Sequence, residues 1–309
     1  MSTSRPKPSP TRPDPTHSPA RGKPDSSNDV LPGLYIVATP IGNARDITLR
    51  ALDVLRDVDV IACEDTRVTS KLMTLHDIDT PLISYHDHNA RRVLPSLIER
   101  LKNGERVAQV SDAGTPLIAD PGYRLVNACR DANIPVTAIP GASSVTTALV
   151  AAGIATDRFT FVGFVPTKAG ERTTWLRDVL ATPGTIVAFE SAKRLPASLK
   201  AVASEGPNRD MAVCRELTKR FEEVRRGTAA DLAEHYDQAG PPKGEVVLVI
   251  GGAALEDVVI DDAVLDAALI EALAQYRVKD AAQAVAESFG VSRKRVYARA
   301  LQVSKPETE

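Results

Sequence analysis

Three short loops hold the residues of most chemical character in this 309-residue chain, and each follows an apolar, strand-like run. They are Thr39-Pro40-Ile41-Gly42-Asn43 after Leu34 to Ala38, Ser111-Asp112-Ala113-Gly114-Thr115-Pro116 after Arg106 to Val110, and Pro140-Gly141-Ala142-Ser143-Ser144 after Val136 to Ile139. Pro fixes φ and removes a donor, while Gly lets backbone approach a ligand closely, so such loops recognise a ligand mainly through main-chain atoms. One Pro-Gly loop is an ordinary turn; three at strand ends of one α/β region point to a small-molecule site. The chain has no G-x-G-x-x-G after its first strand and no G-x-x-x-x-G-K-[ST], which argues against a Rossmann dehydrogenase or a P-loop kinase.

Two carboxylates are placed to receive a proton. Glu190 ends the apolar run Thr185 to Phe189 and precedes Ser191, Lys193 and Arg194, groups suited to phosphate contact. A salt-bridged or helix-capping Glu accounts for the same pattern. Asp112, beside the second loop, is the other candidate, and an Asx turn is its structural alternative. His86-Asp87-His88-Asn89 has paired imidazoles but no third ligand near in sequence, so no metal is expected. In Glu64-Asp65-Thr66-Arg67, Asp65 or Thr66 would cap the following helix.

The elements that position these groups alternate: strand 34–39, helix 46–56, strand 58–64, helix 68–76, strand 81–85, helix 90–103, strand 106–111, helix 121–132, strand 136–139 and helix 143–152. Alternation of this kind predicts a largely parallel sheet covered by helices. Ile47, Ala51, Leu52 and Leu55 form one apolar stripe, and Val93, Leu94, Leu97, Ile98 and Leu101 another, as core-facing helices require. From Phe159 the strands 185–190, 211–217, 221–227 and 244–251 lie closer together with fewer helices between them, which predicts a smaller domain with a mixed or antiparallel sheet. The expected organisation is a disordered Pro/Ser-rich tail over 1–30, α/β domains over 31–154 and 155–255, and a helical basic region over 260–303. The turn residues Gly153 and Asp157 mark the hinge, and a ligand cleft is expected between the domains.

In the last region, Asp280 to Tyr297 has helix-turn-helix spacing, with Gly290 in the turn and Ser292 capping the second helix. Arg293, Lys294 and Arg295 belong to a basic patch in a chain whose net charge is -2, and nucleic acid is its expected partner; a solvated helical face is the alternative. With 43% hydrophobic and 25% charged residues the chain can bury two cores, and no apolar run approaches the roughly 18 residues of a membrane span. Cys63, Cys129 and Cys214 form no pair, and the N-terminus lacks the apolar core of a secretory signal, so the cytoplasm is the expected compartment.

Taken in order, Ala38 to Asn43 with Asp46, Cys63 to Arg67, Tyr85 to Asn89, Val110 to Gly122, Ile139 to Ser144 and Phe189-Glu190-Ser191 resemble the tetrapyrrole methylase-like superfamily of S-adenosylmethionine-dependent methyltransferases. The resemblance runs from about Leu34 to Ile250 and is closest to the ribosomal RNA branch. It implies two α/β domains of the tetrapyrrole methylase type with S-adenosylmethionine folded in the cleft between them. The donor-binding positions it implies are Pro40, Ala113, Gly114, Thr115, Ile118, Ser143 and Ser144, with Glu190, Leu217 and Thr218. Thr115 replaces the Asp of the tetrapyrrole enzymes' Gly-Asp-Pro, as in the ribosomal RNA branch. The implied reaction is methylation of a cytidine ribose 2′-hydroxyl in the decoding region of 16S rRNA, within the small ribosomal subunit, by a homodimer. His86, His88, Asn89, Arg67, Lys193 and Arg194 are then expected to place the substrate. Two other readings stay open: a methyltransferase of the same fold acting on a tetrapyrrole or a protein, and a ligand-sensing DNA-binding regulator.

Overall fold

The computed structural model describes residues 30–120, 122–252 and 261–304. Apart from Val30, the tail expected over 1–30 lies outside the described residues, as does Pro121 at the expected start of helix 121–132.

Five strands, β1 (Gly33–Val37), β2 (Val60–Cys63), β3 (Leu82–Ser84), β4 (Arg106–Val110) and β5 (Val136–Ile139), form a parallel sheet in the order β3-β2-β4-β1-β5. Because the strands run the same way and β1 lies between β4 and β5, the three loops of interest leave the sheet side by side at its carboxyl edge, where ligands of open α/β sheets bind. Alternate residues serve opposite faces. Tyr35 and Val37 pack with α1 (Leu49–Asp57) and α2 (Thr66–Leu75), whereas Leu34 and Ile36 pack with α3 (Ala90–Lys102) and α4 (Tyr123–Asp131). Both expected stripes face these cores: Ala51, Leu55, Leu97 and Leu101 are buried and the other members pack partly buried against them.

Helix α2 begins two residues before the expected 68 and α5 (Ser144–Ala152) one residue after the expected 143; two other starts differ for visible reasons. The helix expected over 46–56 begins at Leu49, because the Thr48 hydroxyl caps it by accepting the Ala51 N–H at 3.1 Å. Ala44–Asp46 is a separate 3-10 turn capped by Asn43. Helix α4 begins at Tyr123, after Gly122 at φ +136, where the Gln109 side-chain amide occupies the space of any Cβ.

The second sheet runs β6 (Phe159–Phe164), β7 (Thr185–Ser191), β10 (Glu245–Ile250), β8 (Asp210–Arg215), β9 (Glu223–Thr228), and it is mixed: β6 and β7 are parallel and the other pairs antiparallel. Three helices that sequence periodicity did not locate, α6 (Ala169–Leu180), α7 (Leu195–Glu205) and α8 (Ala229–Ala239), cover one face. The other face is covered by α5 (Ser144–Ala152), whose Val145, Ala148, Leu149 and Ala152 pack with Ile41 on Val187, Ala212, Cys214, Val247 and Val249. Thus α5 starts at the parallel sheet's third loop and buries its apolar side against the mixed sheet, which holds the two sheets at a fixed separation.

The chain ends in α9 (Asp262–Leu273), α10 (Val278–Phe289) and α11 (Arg293–Val303), which share a small core around Leu265, Leu269, Val285 and Val296. Gly290 closes α10 at φ +64, a left-handed value that favours Gly. Ser292 stands at the N-cap position of α11 as expected, but its side chain makes no capping bond. Among the described residues no helix is long and apolar enough to cross a membrane.

Candidate active site

The three loops are stitched to one another. Thr39 and Gly114 exchange both backbone bonds, at 2.9 and 3.0 Å, and the Thr39 hydroxyl donates to the Ser111 carbonyl at 3.0 Å. The Thr115 hydroxyl donates to the Ala142 carbonyl at 3.0 Å, joining the second loop to the third. Gly141 lies so close to Ala38 that a Cβ would sit 2.9 Å from the alanine methyl, which joins the third loop to the first.

Between these loops and the mixed sheet lies a cleft of about 380 Å³. Of the expected donor positions, Ala113, Gly114, Thr115, Ile118, Ser143, Ser144 and Leu217 line it together with Glu190. Pro40 and Thr218 do not. Thr218 acts one layer out: its hydroxyl accepts the Asn43 N–H at 3.1 Å, which ties the first loop to the β8–β9 connection. The apolar wall, Ile41, Phe164, Phe189 and Val247, was not foreseen, because these residues read as ordinary strand or loop hydrophobics.

The cleft suits a donor that combines an aromatic base, a sulfonium and an amino-acid terminus. Phe189, Ile41 and Leu217 offer apolar surface, and the glycine at 114, with φ +81, admits a ligand against bare backbone. Helix α5 begins at the cleft with no side-chain cap at Ser143, so its first-turn N–H groups are not satisfied by a capping side chain and suit a carboxylate.

Backbone strain is concentrated here. Among the described residues six non-glycine residues have positive φ, and four of them, Leu117, Ala119, Glu216 and Thr218, flank Ile118, Asp120 and Leu217. Asp77 and Asn133, the other two, follow helix ends, where the left-handed region is common.

Glu190, expected as proton acceptor, matches the salt-bridged alternative instead. Its side chain is fully buried; one oxygen accepts the Ser191 N–H at 2.6 Å and both Nε and Nη2 of Arg194 at 3.0 and 2.6 Å, and the other accepts the Ser198 hydroxyl. Four donors thus tie this carboxylate to Ser191, Arg194 and Ser198. Arg194 is correspondingly committed to Glu190, and Lys193 is left exposed beside it. Asp112 does not line the cleft; its Oδ1 accepts the Asp65 N–H at 3.0 Å and braces the loop after β2.

The carboxylate missed from sequence is Asp120. It lines the cleft, and burial, reinforced by the charges of Glu64 and Asp112 and opposed by a Ser111 hydrogen bond, lifts its pKa to about 6. Glu64 is raised as well, by burial and then by Asp112, Asp87 and Asp65 against His86. Only distance along the chain hid this group: Glu64 follows β2, Asp112 follows β4, and the parallel sheet brings them together.

The expected substrate contacts divide. Asn89 closes the β3–α3 turn, accepting the His86 N–H at 2.9 Å and donating to the Ser84 carbonyl at 3.0 Å, so its role is structural. His86 and His88 stand near that carboxyl edge with ring centroids 5.9 Å apart. Arg67 is 86% exposed and bidentate with Asp65, which caps α2. Arg293 and Lys294 are exposed, whereas Arg295 pairs with Asp262 at 2.8 Å. Among the described residues no group of three metal-ligating side chains occurs.

Comparison with known proteins agrees with this geometry. Residues 33–233 match the tetrapyrrole (corrin/porphyrin) methylases, and residues 259–304 match the RsmI C-terminal HTH domain. The chain is 46% identical over 88% of its length to ribosomal RNA small subunit methyltransferase I of Mesorhizobium japonicum, covering 92% of that protein. With the enzyme of the same name from Escherichia coli O157:H7 it shares 43% identity, covering 87% of this chain and 94% of that one. Uroporphyrin-III C-methyl transferase from Thermus thermophilus, solved with S-adenosyl homocysteine, has the same fold at a TM-score of 0.51 and 19% identity, over 71% of this chain and 97% of that one. The chain therefore belongs to the tetrapyrrole (corrin/porphyrin) methylase family.

Proposed function

We propose that this protein is an S-adenosylmethionine-dependent methyltransferase of small-subunit ribosomal RNA, and that the acceptor is the ribose 2′-hydroxyl of a cytidine in the decoding region of 16S rRNA. One observation carries the reading: the three stitched loops and the mixed sheet enclose a donor-sized cleft in a chain whose near full-length relatives are named as small-subunit rRNA methyltransferases. The unit over 31–154 supplies the loops, 155–255 the opposite wall and 260–303 a helical arm whose basic residues are gathered in its later part, at Arg277, Lys279, Arg293, Lys294, Arg295 and Arg299. A porphyrin substrate would give that arm nothing to do.

S-adenosylmethionine supplies a methyl group already activated on a sulfonium sulfur, so the protein's main contribution is alignment, worth up to roughly 7–11 kcal/mol in well-oriented systems. Ala113, Gly114, Thr115, Ile118, Ser143, Ser144 and Leu217 hold the donor. Pro40 shapes the first loop, and Thr218 latches it. The stitched loops are rigid before any ligand arrives, so little ordering entropy is lost on binding. Arg67, His86, His88, Lys193, Arg293 and Lys294 are the RNA contacts in this reading, and the assembly is a cytoplasmic homodimer acting on the small ribosomal subunit.

Transfer of labelled methyl from S-adenosylmethionine to unmethylated 30S subunits, followed by nuclease digestion and mass spectrometry, tests it. Label in a 2′-O-methylcytidine of 16S rRNA is the expected result. Label on a base, or none at all, overturns the acceptor assignment.

A further inference from the structure

Four titratable side chains line the cleft: Asp120, Glu190, Cys214 and Glu245. Three are unsuited to take a proton from a substrate hydroxyl. Glu190 is tied by Arg194, Ser198 and the Ser191 N–H. Cys214 is buried beneath α5 against the Ala148 carbonyl, and burial pushes its thiol up to about 12, so it stays neutral. Glu245 is largely exposed and paired with Lys219 at 2.9 Å.

Asp120 differs from all three. No cation pairs with it among the described residues; it follows left-handed Ala119, lines the cleft and is hydrogen-bonded to Ser111. Such strain persists where the surrounding structure over-determines a side chain's position, and it clusters at functional sites. Charges reaching Asp120 come from Glu64 after β2 and Asp112 after β4, with the Ser111 hydroxyl opposing them. Asp65, Asp87 and His86 act on Glu64 in turn.

We propose that Asp120 is the general base that accepts the proton of the attacking 2′-hydroxyl, an assignment that rests on the methyltransferase reading above. As the hydroxyl oxygen forms its bond to the methyl carbon, the carbon–sulfur bond breaks with its electron pair kept by sulfur. The O–H proton passes to an Asp120 oxygen and later leaves to solvent. Near neutral pH a base titrating at about 6 is ionised yet still basic enough to accept that proton. The like charges of Glu64 and Asp112 raise the energy of the ionised carboxylate and so favour proton uptake.

The test compares wild type, Asp120→Asn and Glu64→Gln in single-turnover methyl transfer to 30S subunits across pH. The carboxyl ¹³C titration of the donor-free protein is the second readout, and S-adenosylhomocysteine affinity checks the cleft. Expected are a wild-type rate that rises through about pH 6, and a loss of about 100-fold or more in Asp120→Asn with unchanged S-adenosylhomocysteine affinity. A carboxyl resonance titrating at the same pH should vanish in Asp120→Asn. In Glu64→Gln both the acid limb and that resonance should move to lower pH, because a like charge has gone. Transfer by Asp120→Asn at close to the wild-type rate, or an Asp120 resonance in the ordinary carboxylate range, overturns the proposal and leaves the methyltransferase reading standing. Absence of transfer by wild type overturns both.

Discussion

The Asn43 backbone N–H donates to the Thr218 hydroxyl at 3.1 Å, joining the first loop of the parallel sheet to the β8–β9 connection of the mixed one. Thr218 holds φ +66 in this arrangement, and its N–H donates to the Glu222 carboxylate at 2.5 Å. The contact fixes the spacing of the two cleft walls, because Ile41 and Leu217, each one or two residues away, face the same space from opposite sides.

Gly42 tests that latch. A Cβ there would collide with the Lys219 side chain and sit 2.9 Å from the Thr218 hydroxyl. Lys219 cannot simply swing aside, since its amine is held by Glu216 at 2.8 Å and Glu245 at 2.9 Å. Gly42→Ala should therefore open the latch and weaken S-adenosylhomocysteine binding roughly tenfold, about 1.4 kcal/mol, by calorimetry. Unaltered affinity would show that the cleft walls do not depend on it.

Glu190 separates stability from proton transfer. Removing one member of a buried ion pair strands the other, at a typical cost of about 3–5 kcal/mol. Arg194 is partly exposed, so the lower end applies, and Glu190→Ala should lose about 3 kcal/mol in denaturant titration. The acid limb of the pH–rate profile should stay in place. A shift of that limb would mean that Glu190 is the titrating group.

How much of this could be read from the sequence depends on the range of each interaction. The strands of the first sheet and their three loops were legible because apolar runs followed by Pro and Gly are local signals, and so was α3, whose stripe from Val93 to Leu101 is long. Helix α6 was not, because its buried residues Leu176, Val179 and Leu180 crowd its last turns and leave Ala169 to Trp175 with no periodic face. The expected positions from Ala113 to Ser144 converge on one cleft, and Glu190 lines it too, but tied to Arg194 and Ser198. Glu190 and Asp120 are both acidic residues near strand ends. What separates them is Arg194 on one and Glu64 on the other, and the second partner lies just after a strand far away in sequence.

Asp120 should also make the fold less stable at neutral pH. Its folded pKa is raised to about 6 from 3.8, so below about pH 4 both states are protonated and no penalty exists. Between about 4 and 6 the unfolded chain ionises while the folded protein keeps its proton, and stability falls as pH rises. Above 6 the penalty is constant. With part of the carboxyl exposed, screening reduces it to about 1–2 kcal/mol. Asp120→Asn should thus raise the unfolding free energy at pH 7.5 by that amount and leave it unaltered at pH 3.5. A destabilised variant at pH 7.5 would contradict the sign.

The basic C-terminal helices make two opposite predictions on one short segment. Arg299 is bidentate with Asp266, both contacts at 2.6 Å, and near Asp262, and Arg295 pairs with Asp262; these arginines join α11 to α9. Part of the positive charge visible in the sequence is therefore neutralised by acids of α9, at the start of the region expected to be basic. Arg293 and Lys294 stand exposed at the start of α11. If both contact phosphate, the double variant Arg293→Ala, Lys294→Ala should flatten the slope of log affinity against log salt by about 1.4 for single-stranded RNA and somewhat more for duplex. Donor binding should be unaffected, because neither residue lines the cleft. Arg299→Ala should instead leave the salt slope nearly unaltered and increase proteolysis within residues 262–303, since it removes a tie between helices rather than a phosphate contact. Filter binding to 30S subunits over a salt series, run beside limited proteolysis, reads both; an equal loss of slope in the two variants would refute this division of labour.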